Sequence, residues 1–156
     1  IIRGTPMMVQ LLIMSMVIFA NSRNFTMVGA LTLGINSGAY LSEIIRGGLQ
    51  ALRTEQLDAA AALGFNDWQT QRWIVLPQVL RAVAPSLANS AIALFKDTSL
   101  VTIVSLYELT GSLGLALSGD AQWRPFYLEA WIFIAAIYWA GCVLLARISR
   151  AKPLRP

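Results

Sequence analysis

Residues 58–77 read DAAAALGFNDWQTQRWIVLP and form the longest hydrophilic interruption in a chain otherwise rich in apolar runs. The four alanines at 59–62 are the strongest helix formers and carry almost no side chain. Gly64 accepts the left-handed conformation that ends helices. Asn66 is a favoured N-cap, and Gln69 completes a capping box. Because proline disfavours helical geometry in the residue before it, the pattern predicts helix, turn, helix, and a stop at Leu76-Pro77.

The composition indicates a membrane protein. Of 156 residues, 56% are hydrophobic and 13% are charged, whereas about 25% are charged in an average soluble protein. The mean hydropathy is +0.60. With no histidine, a single cysteine (Cys142) and no Gly-x-x-x-x-Gly-Lys-Ser/Thr loop, the sequence offers no metal cluster, no serine–histidine pair and no nucleotide site. We therefore expect no enzyme, no metal site and no cofactor in this chain.

Four apolar runs predict an all-α polytopic membrane protein with about four transmembrane helices, over residues 5–21, 25–45, 81–106 and 126–146. A membrane helix needs roughly 20 residues, with about 17 to 25 tolerated, and the first run just meets the lower limit. The mixed segment 107–125 is typical of a short helix and loop. Within the second run, Gly34 and Gly38 have the spacing that lets helices approach closely.

The positive charges predict the orientation in the membrane. With four spans, the N-terminal end, the segment 46–81 and the tail 147–156 lie on one side, which collects nine of the 12 lysines and arginines. The other side holds only Arg23 and Arg124, and Lys96 lies inside the third run. We expect the segment 46–81 and the C-terminus to be cytoplasmic. Because this topology explains the net charge of +4, nothing in the sequence calls for a nucleic acid partner.

Polar residues inside the apolar runs are candidates for a functional site. An ionisable residue within a span costs about 2.5 to 3.5 kcal/mol on insertion scales. Lys96 and Asp97, followed by Thr98 and Ser99, are neighbours that point to different faces of a helix, so their mutual pairing is geometrically poor. That favours a second subunit or a zwitterionic substrate as the partner, although mutual neutralisation or snorkelling remains open.

Two asparagines are weaker candidates for the same path. Asn89 lies seven residues before Lys96 and therefore on roughly the same helical face, and Asn36 lies inside the second run. Hydrogen bonding between helices explains both equally well. Near the end of the second run, Glu43 and Arg46 are spaced for a structural salt bridge.

The chain resembles the permease subunits of ABC-type importers, the amino-acid branch in particular. That family carries Glu-Ala-Ala, three residues, Gly, nine residues and Ile-x-Leu-Pro. The matching residues are Asp58, Ala59, Ala60, Gly64, Ile74, Leu76 and Pro77, with aspartate in place of the usual glutamate. Similar family patterns occur at residues 3–10 (RGTP, three residues, Gln), 36–48 and 96–100. The likeness predicts one transmembrane permease domain over residues 1–156.

The resemblance also implies a mechanism and a set of partners. The motif would be the coupling helix, which inserts into a cleft of a separate ATPase subunit that binds ATP and magnesium. A second permease subunit (the same chain or a different one), an external solute-binding protein facing residues 107–125, and an amino acid complete the assembly in a bacterial inner membrane. The substrate path would run along Asn36, Asn89, Lys96, Asp97, Thr98 and Ser99. Since family members usually have a membrane helix before the RGTP element, we expect a segment preceding Ile1.

Two other classes of function remain as alternatives. In a secondary transporter or channel, Lys96 and Asp97 would form an ion relay, and transport would continue without ATP or a partner subunit. In a membrane anchor that recruits a soluble enzyme through residues 55–77, replacing Asp97 would change nothing. Both require the seven-position motif to be a coincidence.

Overall fold

The computed structural model describes residues 2–52 and 54–151, and this part of the chain is helical throughout, without strands. The α-helices are α1 (Met7–Ile13), α2 (Phe25–Gln50), α3 (Thr54–Ala62), α4 (Asp67–Gln69), α5 (Leu76–Asp97), α6 (Leu109–Gly119) and α7 (Tyr127–Ala151). The π-helical turns Met14–Ile18 and Thr70–Val75 follow α1 and α4, and the 3₁₀-helices Thr98–Val104 and Ala121–Phe126 follow α5 and precede α7. The predicted all-helical membrane fold is confirmed. Arg53 and residues 152–156 of the predicted tail lie outside the described residues.

The first apolar run forms a shorter helix than predicted. The helix Met7–Ile18 is about 18 Å long at 1.5 Å per residue, whereas the hydrocarbon core of a bilayer is about 30 Å thick. Pro6 has an extended backbone just before it, and Phe19 leaves helical geometry at φ −112° just after it. The predicted span over residues 5–21 is therefore too long.

Helix α2 runs five residues beyond its predicted end at residue 45. Its N-cap is Asn24, whose side chain accepts a hydrogen bond from the Met27 N–H at 3.0 Å. Val28, Thr32 and Asn36 are buried and lie four residues apart, so they form one stripe along the helix. This stripe, Gly29 and Gly48 are the parts of α2 that are covered by other segments of the chain.

The predicted stop at Leu76-Pro77 is wrong, because one continuous helix runs from Asp67 to Val104. An interior proline removes a backbone donor and clashes with the carbonyl four residues earlier. Here the preceding turn, Thr70–Val75, is π-helical, and Pro77 lies in the first turn of α5. The wider turn shifts the backbone hydrogen-bond pattern just before Pro77, where the missing N–H falls.

Helices α2 and α5 cross at Gly48. A Cβ built on Gly48 would lie 2.3 Å from Val83 Cγ1 and 3.2 Å from Val79 Cγ1, so only glycine permits this approach. Val75, Val79 and Val83 form a core cluster there, with Ile44 and Leu52 against it. Gly34 and Gly38 have nothing within 4 Å of a built Cβ. Within the described chain, the close helix contact therefore lies at Gly48 and not at the predicted glycine pair.

The C-terminal half of the structure packs α7 against α5. Gly141 of α7 admits the Phe95 ring, whose Cε1 would lie 2.8 Å from a built Cβ. The Phe95 and Tyr138 rings are 5.5 Å apart between centroids. Residues 107–125 contain α6 and most of a 3₁₀-helix, as the predicted short helix and loop requires. By length and apolarity, Asp67–Val104 and Ala121–Ser149 are the described helices able to cross a membrane.

Candidate functional site

A cavity of about 460 Å³ lies between residues 5–7, α2 and α5. Its polar lining side chains are Thr5, Asn36, Ser37, Tyr40, Ser90 and Asp97. The remaining lining is apolar and includes Met7, Leu41, Leu87 and Leu94. Mostly apolar walls with a few polar groups are typical of small-molecule sites, and the volume lies in their usual range. Asp97 is the charged residue among those that line it.

Gln10 holds one wall of this cavity in place. Its Nε2 donates to Ile2 O at 2.6 Å, Thr5 Oγ1 at 2.8 Å and Thr5 O at 3.1 Å. Asn36 Nδ2 donates to Gln10 Oε1 at 2.9 Å. Since the amide hydrogens of Gln10 serve backbone and hydroxyl oxygens, Gln10 Oε1 must be the acceptor, and Asn36 must present its NH₂ group. Among the described residues Asn36 Oδ1 makes no hydrogen bond, which leaves it as an acceptor for the cavity.

An ion-pair group lies beside the cavity. The Arg46 Nε donates to Glu43 Oε1 at 2.8 Å, which confirms the predicted Glu43–Arg46 salt bridge. Arg3 adds a second cation, with its Nη1 3.1 Å from Glu43 Oε2. The Arg3 guanidinium carbon also lies 5.4 Å from the centroid of the Tyr40 ring, which lines the cavity. These contacts join the N-terminal 3₁₀-turn, Ile2–Gly4, to α2.

Of the six residues predicted to follow the substrate path, Asn36 and Asp97 line this cavity. Lys96 and Asn89 are exposed and are not among the residues that line it. Thr98 Oγ1 donates to Phe95 O at 2.7 Å, and Ser99 Oγ donates to Lys96 O at 2.8 Å. Lys96 and Asp97 form no ion pair in the described part of the chain. A role in the substrate path stays a prediction for all six residues.

Four polar residues of the cavity are absent from the predicted set: Thr5, Ser37, Tyr40 and Ser90. The sequence does hold a signal for two of them. Ser90 lies seven residues before Asp97, and Tyr40 lies four residues after Asn36, so each shares a helical face with a predicted residue. No pattern in the sequence shows that these two faces meet, because that depends on how α2 and α5 cross.

Residues 58–77, which we call the coupling segment after their predicted role, have the turn that the sequence predicts. Gly64 is left-handed at φ +79°. The Phe65 N–H donates to Ala60 O at 3.1 Å and the Gly64 N–H donates to Ala61 O at 3.0 Å, which is the Schellman pattern. Asn66 and Gln69 then form a reciprocal capping box at 2.9 and 3.0 Å. The turn and both helix ends are therefore rigidly defined by local hydrogen bonds.

The seven motif residues divide between an inner and an outer face. Ala60 is only 1% exposed, and α3 packs against the π-turn Thr70–Val75, so Ala60 belongs to the interior of this chain. Ile74 and Pro77 are half-buried. Asp58, Ala59, Gly64 and Leu76 are exposed. These four residues are the most accessible part of the motif.

A single helix connects the coupling segment with the cavity. Ile74 and Asp97 lie on the continuous helix Asp67–Val104, about 35 Å apart at 1.5 Å per residue. Val75, Val79 and Val83, between them, pack against the end of α2. The π-turn and the cavity wall therefore lie on one helix, with no loop between them.

Glu108 organises a second polar cluster that the sequence did not reveal. As the N-cap of α6 it accepts from the Thr110 and Gly111 N–H groups at 2.9 and 3.0 Å. It also accepts from Thr102 Oγ1 at 2.5 Å and from the Tyr138 hydroxyl of α7 at 2.7 Å. Burial opposes ionisation, but these donors outweigh it and lower the pKa of Glu108 below the ordinary value of 4.5.

The chain matches the family described as binding-protein-dependent transport system inner membrane component over residues 1–151. It belongs to that family. The chain is 46% identical over 112 residues to the inner membrane amino-acid ABC transporter permease protein YhdY of Escherichia coli (strain K12). The aligned region covers 72% of the chain and 30% of YhdY. The chain is 34% identical over 154 residues to the glutamine transport system permease protein GlnP of the same organism, covering 96% of the chain and 68% of GlnP.

The family fold is also found in a solved structure. The crystal structure of an amino acid ABC transporter with histidines matches 99% of the chain and 72% of its own chain, at a TM-score of 0.86 and 32% identity. The chain therefore spans less than a third of the length of YhdY and about two thirds of GlnP. The family match over residues 1–151 includes the seven motif positions between Asp58 and Pro77.

Proposed function

We propose that the chain forms the translocation path for an amino acid in an ATP-driven importer. The single observation that carries the proposal is that one continuous helix joins the coupling segment to a polar cavity containing Asp97. The relatives named above are amino-acid permeases, which makes an amino acid the substrate class that fits best. The chain acts as a conduit and does not itself catalyse bond chemistry.

The cavity chemistry suits a zwitterion. Asp97 is the charged residue of the lining, and its carboxylate could accept hydrogen bonds from a substrate ammonium group. Asn36 Oδ1 is a second acceptor for that group. Ser37, Ser90 and Tyr40 carry hydroxyl donors for the substrate carboxylate.

Coupling would use the outer face of α3. A separate ATPase subunit, holding ATP and magnesium, would dock on Asp58, Ala59 and the turn at Gly64, where small side chains allow close approach. Because α3 rests on the π-turn Thr70–Val75, movement of the ATPase pair would shift α5 and alternate the access to the cavity.

The remaining partners follow from the family. A second permease subunit would complete the path, and an external solute-binding protein would face residues 107–125. The protein would lie in a bacterial inner membrane, with residues 46–81 and the C-terminus in the cytoplasm, as the arginine and lysine distribution favours.

The test is amino-acid uptake by the whole transporter, made from this permease with its ATPase and binding protein, in proteoliposomes. We expect uptake to require ATP on the side of the vesicle membrane that corresponds to the cytoplasm. We also expect uptake to fall when Asp97 is replaced by alanine. Uptake that continues without ATPase would favour a secondary transporter. Normal uptake by Asp97→Ala would remove Asp97 from the path.

A further inference from the structure

Three exposed side chains cluster at the beginning of the helix that runs from Asp67 to Val104. Trp68 is 69% exposed and Trp73 is 66% exposed. The guanidinium carbon of Arg72 lies 6.0 Å from the Trp68 ring centroid and 5.8 Å from that of Trp73. Both distances are within the range of cation–π attraction, about 6 Å. We call these three residues the Trp–Arg–Trp cluster.

The π-turn Thr70–Val75 is what gathers the cluster. In an α-helix, residues five apart point about 140° away from each other, since each residue turns the helix by about 100°. A π-turn bonds each residue to the one five further on and so brings residues at that spacing toward one side. Trp68 and Trp73 are five apart, and Arg72 reaches both. The turn that accommodates Pro77 thus also creates an exposed surface feature.

Among the described residues, the polar groups of this cluster make no ion pair and no hydrogen bond. In residues 2–52 and 54–151, the ion pairs join Glu43 to Arg3 and Arg46, and none involves Arg72. The same part of the structure shows no hydrogen bond from the indole N–H of Trp68 or Trp73. The cluster therefore presents a planar guanidinium fork and two indole donors on an apolar base. A fork of this kind matches the oxygens of a phosphate group, and indole rings suit the boundary between water and acyl chains.

Its position fits a membrane surface. The cluster lies near the first residue of a helix long and apolar enough to cross a membrane. Tryptophan is enriched where membrane helices enter the headgroup region. Anionic lipids of the cytoplasmic leaflet attract arginine there. The exposed α3 surface proposed for the ATPase is on the preceding helix, so one segment contains both features.

We propose that the Trp–Arg–Trp cluster binds the phosphate headgroup of an anionic phospholipid, with the two indoles resting on the acyl chains below it. The cytoplasmic side of this lipid rests on the proposed function, but the lipid contact itself does not. The contact holds the start of the helix at a constant height in the membrane. A push on α3 then tilts the helix and does not sink it into the bilayer.

The test uses the complete transporter in nanodiscs of phosphatidylcholine. Increasing amounts of a lipid with bromines near the headgroup are added, and this lipid is either phosphatidylglycerol or phosphatidylcholine. Bromine quenches nearby tryptophan fluorescence. The signal of Trp68 and Trp73 is obtained by subtracting the signal of the W68F/W73F double variant. Trp139 is the matched control, because it is 69% exposed on α7 and no arginine among the described residues lies over its ring.

We expect the Trp68 and Trp73 signal to be quenched at about fivefold lower phosphatidylglycerol than phosphatidylcholine, the preference expected of one arginine at an anionic surface. Arg72→Gln should abolish this preference, and the Trp139 signal, obtained with W139F, should show none. Equal quenching by both lipids would overturn the proposal. Quenching that is absent in the complete transporter and occurs only after the ATPase is removed would also overturn it, because the cluster would then contact the ATPase. The measurement needs no ATP, so a failure of import leaves its outcome readable.

Discussion

The Asn36 side chain donates to Gln10 Oε1 at 2.9 Å and joins α2 to α1 at the wall of the cavity. The two residues are 26 positions apart, and Asn36 is buried. The bond also orients the Asn36 amide, so that its oxygen is free to accept from a substrate. A single contact therefore supports the packing and sets the polarity of the site.

Replacing Asn36 with leucine should lower both stability and uptake. The substitution leaves Gln10 Oε1 without its donor, which costs about 1–3 kcal/mol for a buried polar group. It also removes an acceptor from the cavity. Thermal unfolding in detergent and uptake in proteoliposomes measure the two effects. Asn89→Leu is the control, because Asn89 is exposed and does not line the cavity; equal losses in both variants would argue against the cavity.

Replacing Asp97 with alanine should reduce uptake about tenfold or more while assembly with the ATPase is retained. A hydrogen bond to a charged group contributes about 1.5–3 kcal/mol, which corresponds to roughly 10- to 100-fold. Lys96→Ala is the matched control, since Lys96 is adjacent but exposed and does not line the cavity. Copurification of the ATPase reports assembly. If Lys96→Ala were the more damaging change, the substrate path would lie on the other face of α5.

Replacing Gly64 with valine should uncouple ATP hydrolysis from uptake and leave membrane insertion intact. Gly64 has φ +79° and open space around a built Cβ, so the penalty comes from the backbone and not from a clash. A non-glycine residue in this conformation costs about 1–3 kcal/mol. Gly47→Val, also in open space but without a positive φ, is the control. Unchanged ATP-driven uptake by Gly64→Val would contradict the role of the turn.

Replacing Gly48 with leucine should destabilise the fold by about 1–3 kcal/mol or more, the usual cost of overpacking. A Cβ there would lie 2.3 Å from Val83 Cγ1, so α2 and α5 must separate. Gly34→Leu, where a built Cβ meets nothing within 4 Å, should have a much smaller effect on the isolated chain. Thermal unfolding of both variants in detergent decides between them. Similar melting temperatures would mean that the crossing is not tight.

Glu108 should make stability depend on pH. Because its folded pKa is lowered, its contribution is complete above the ordinary value of 4.5 and is lost as the pH falls through the folded pKa. The melting temperature should therefore fall less between pH 6 and pH 3 in Glu108→Gln than in the unchanged protein. Glu129→Gln, at an exposed position near the start of α7, should retain the full pH dependence. If the pH dependence of the melting temperature decreased equally in both variants, Glu108 would not be its specific source.

Much of the local structure can be read from the residues themselves. The Gly64 turn, the Asn66–Gln69 capping box and the Glu43–Arg46 pair depend on contacts between residues three to five apart. The stop at Leu76-Pro77 was predicted wrongly, because a π-turn before a proline leaves no strong signature in the sequence. The N-cap role of Glu108 was missed because glutamate is not among the preferred capping residues.

The sequence by itself determined the helical membrane class, the coupling turn and the family, since these depend on composition, spacing and local hydrogen bonds. Only the tertiary structure decided that Asn36 and Asp97 share one cavity while Lys96 and Asn89 do not line it. The physical reason is the close crossing of α2 and α5 at Gly48 and Val83. That contact joins residues far apart in the chain, and it sets which faces of the two helices meet.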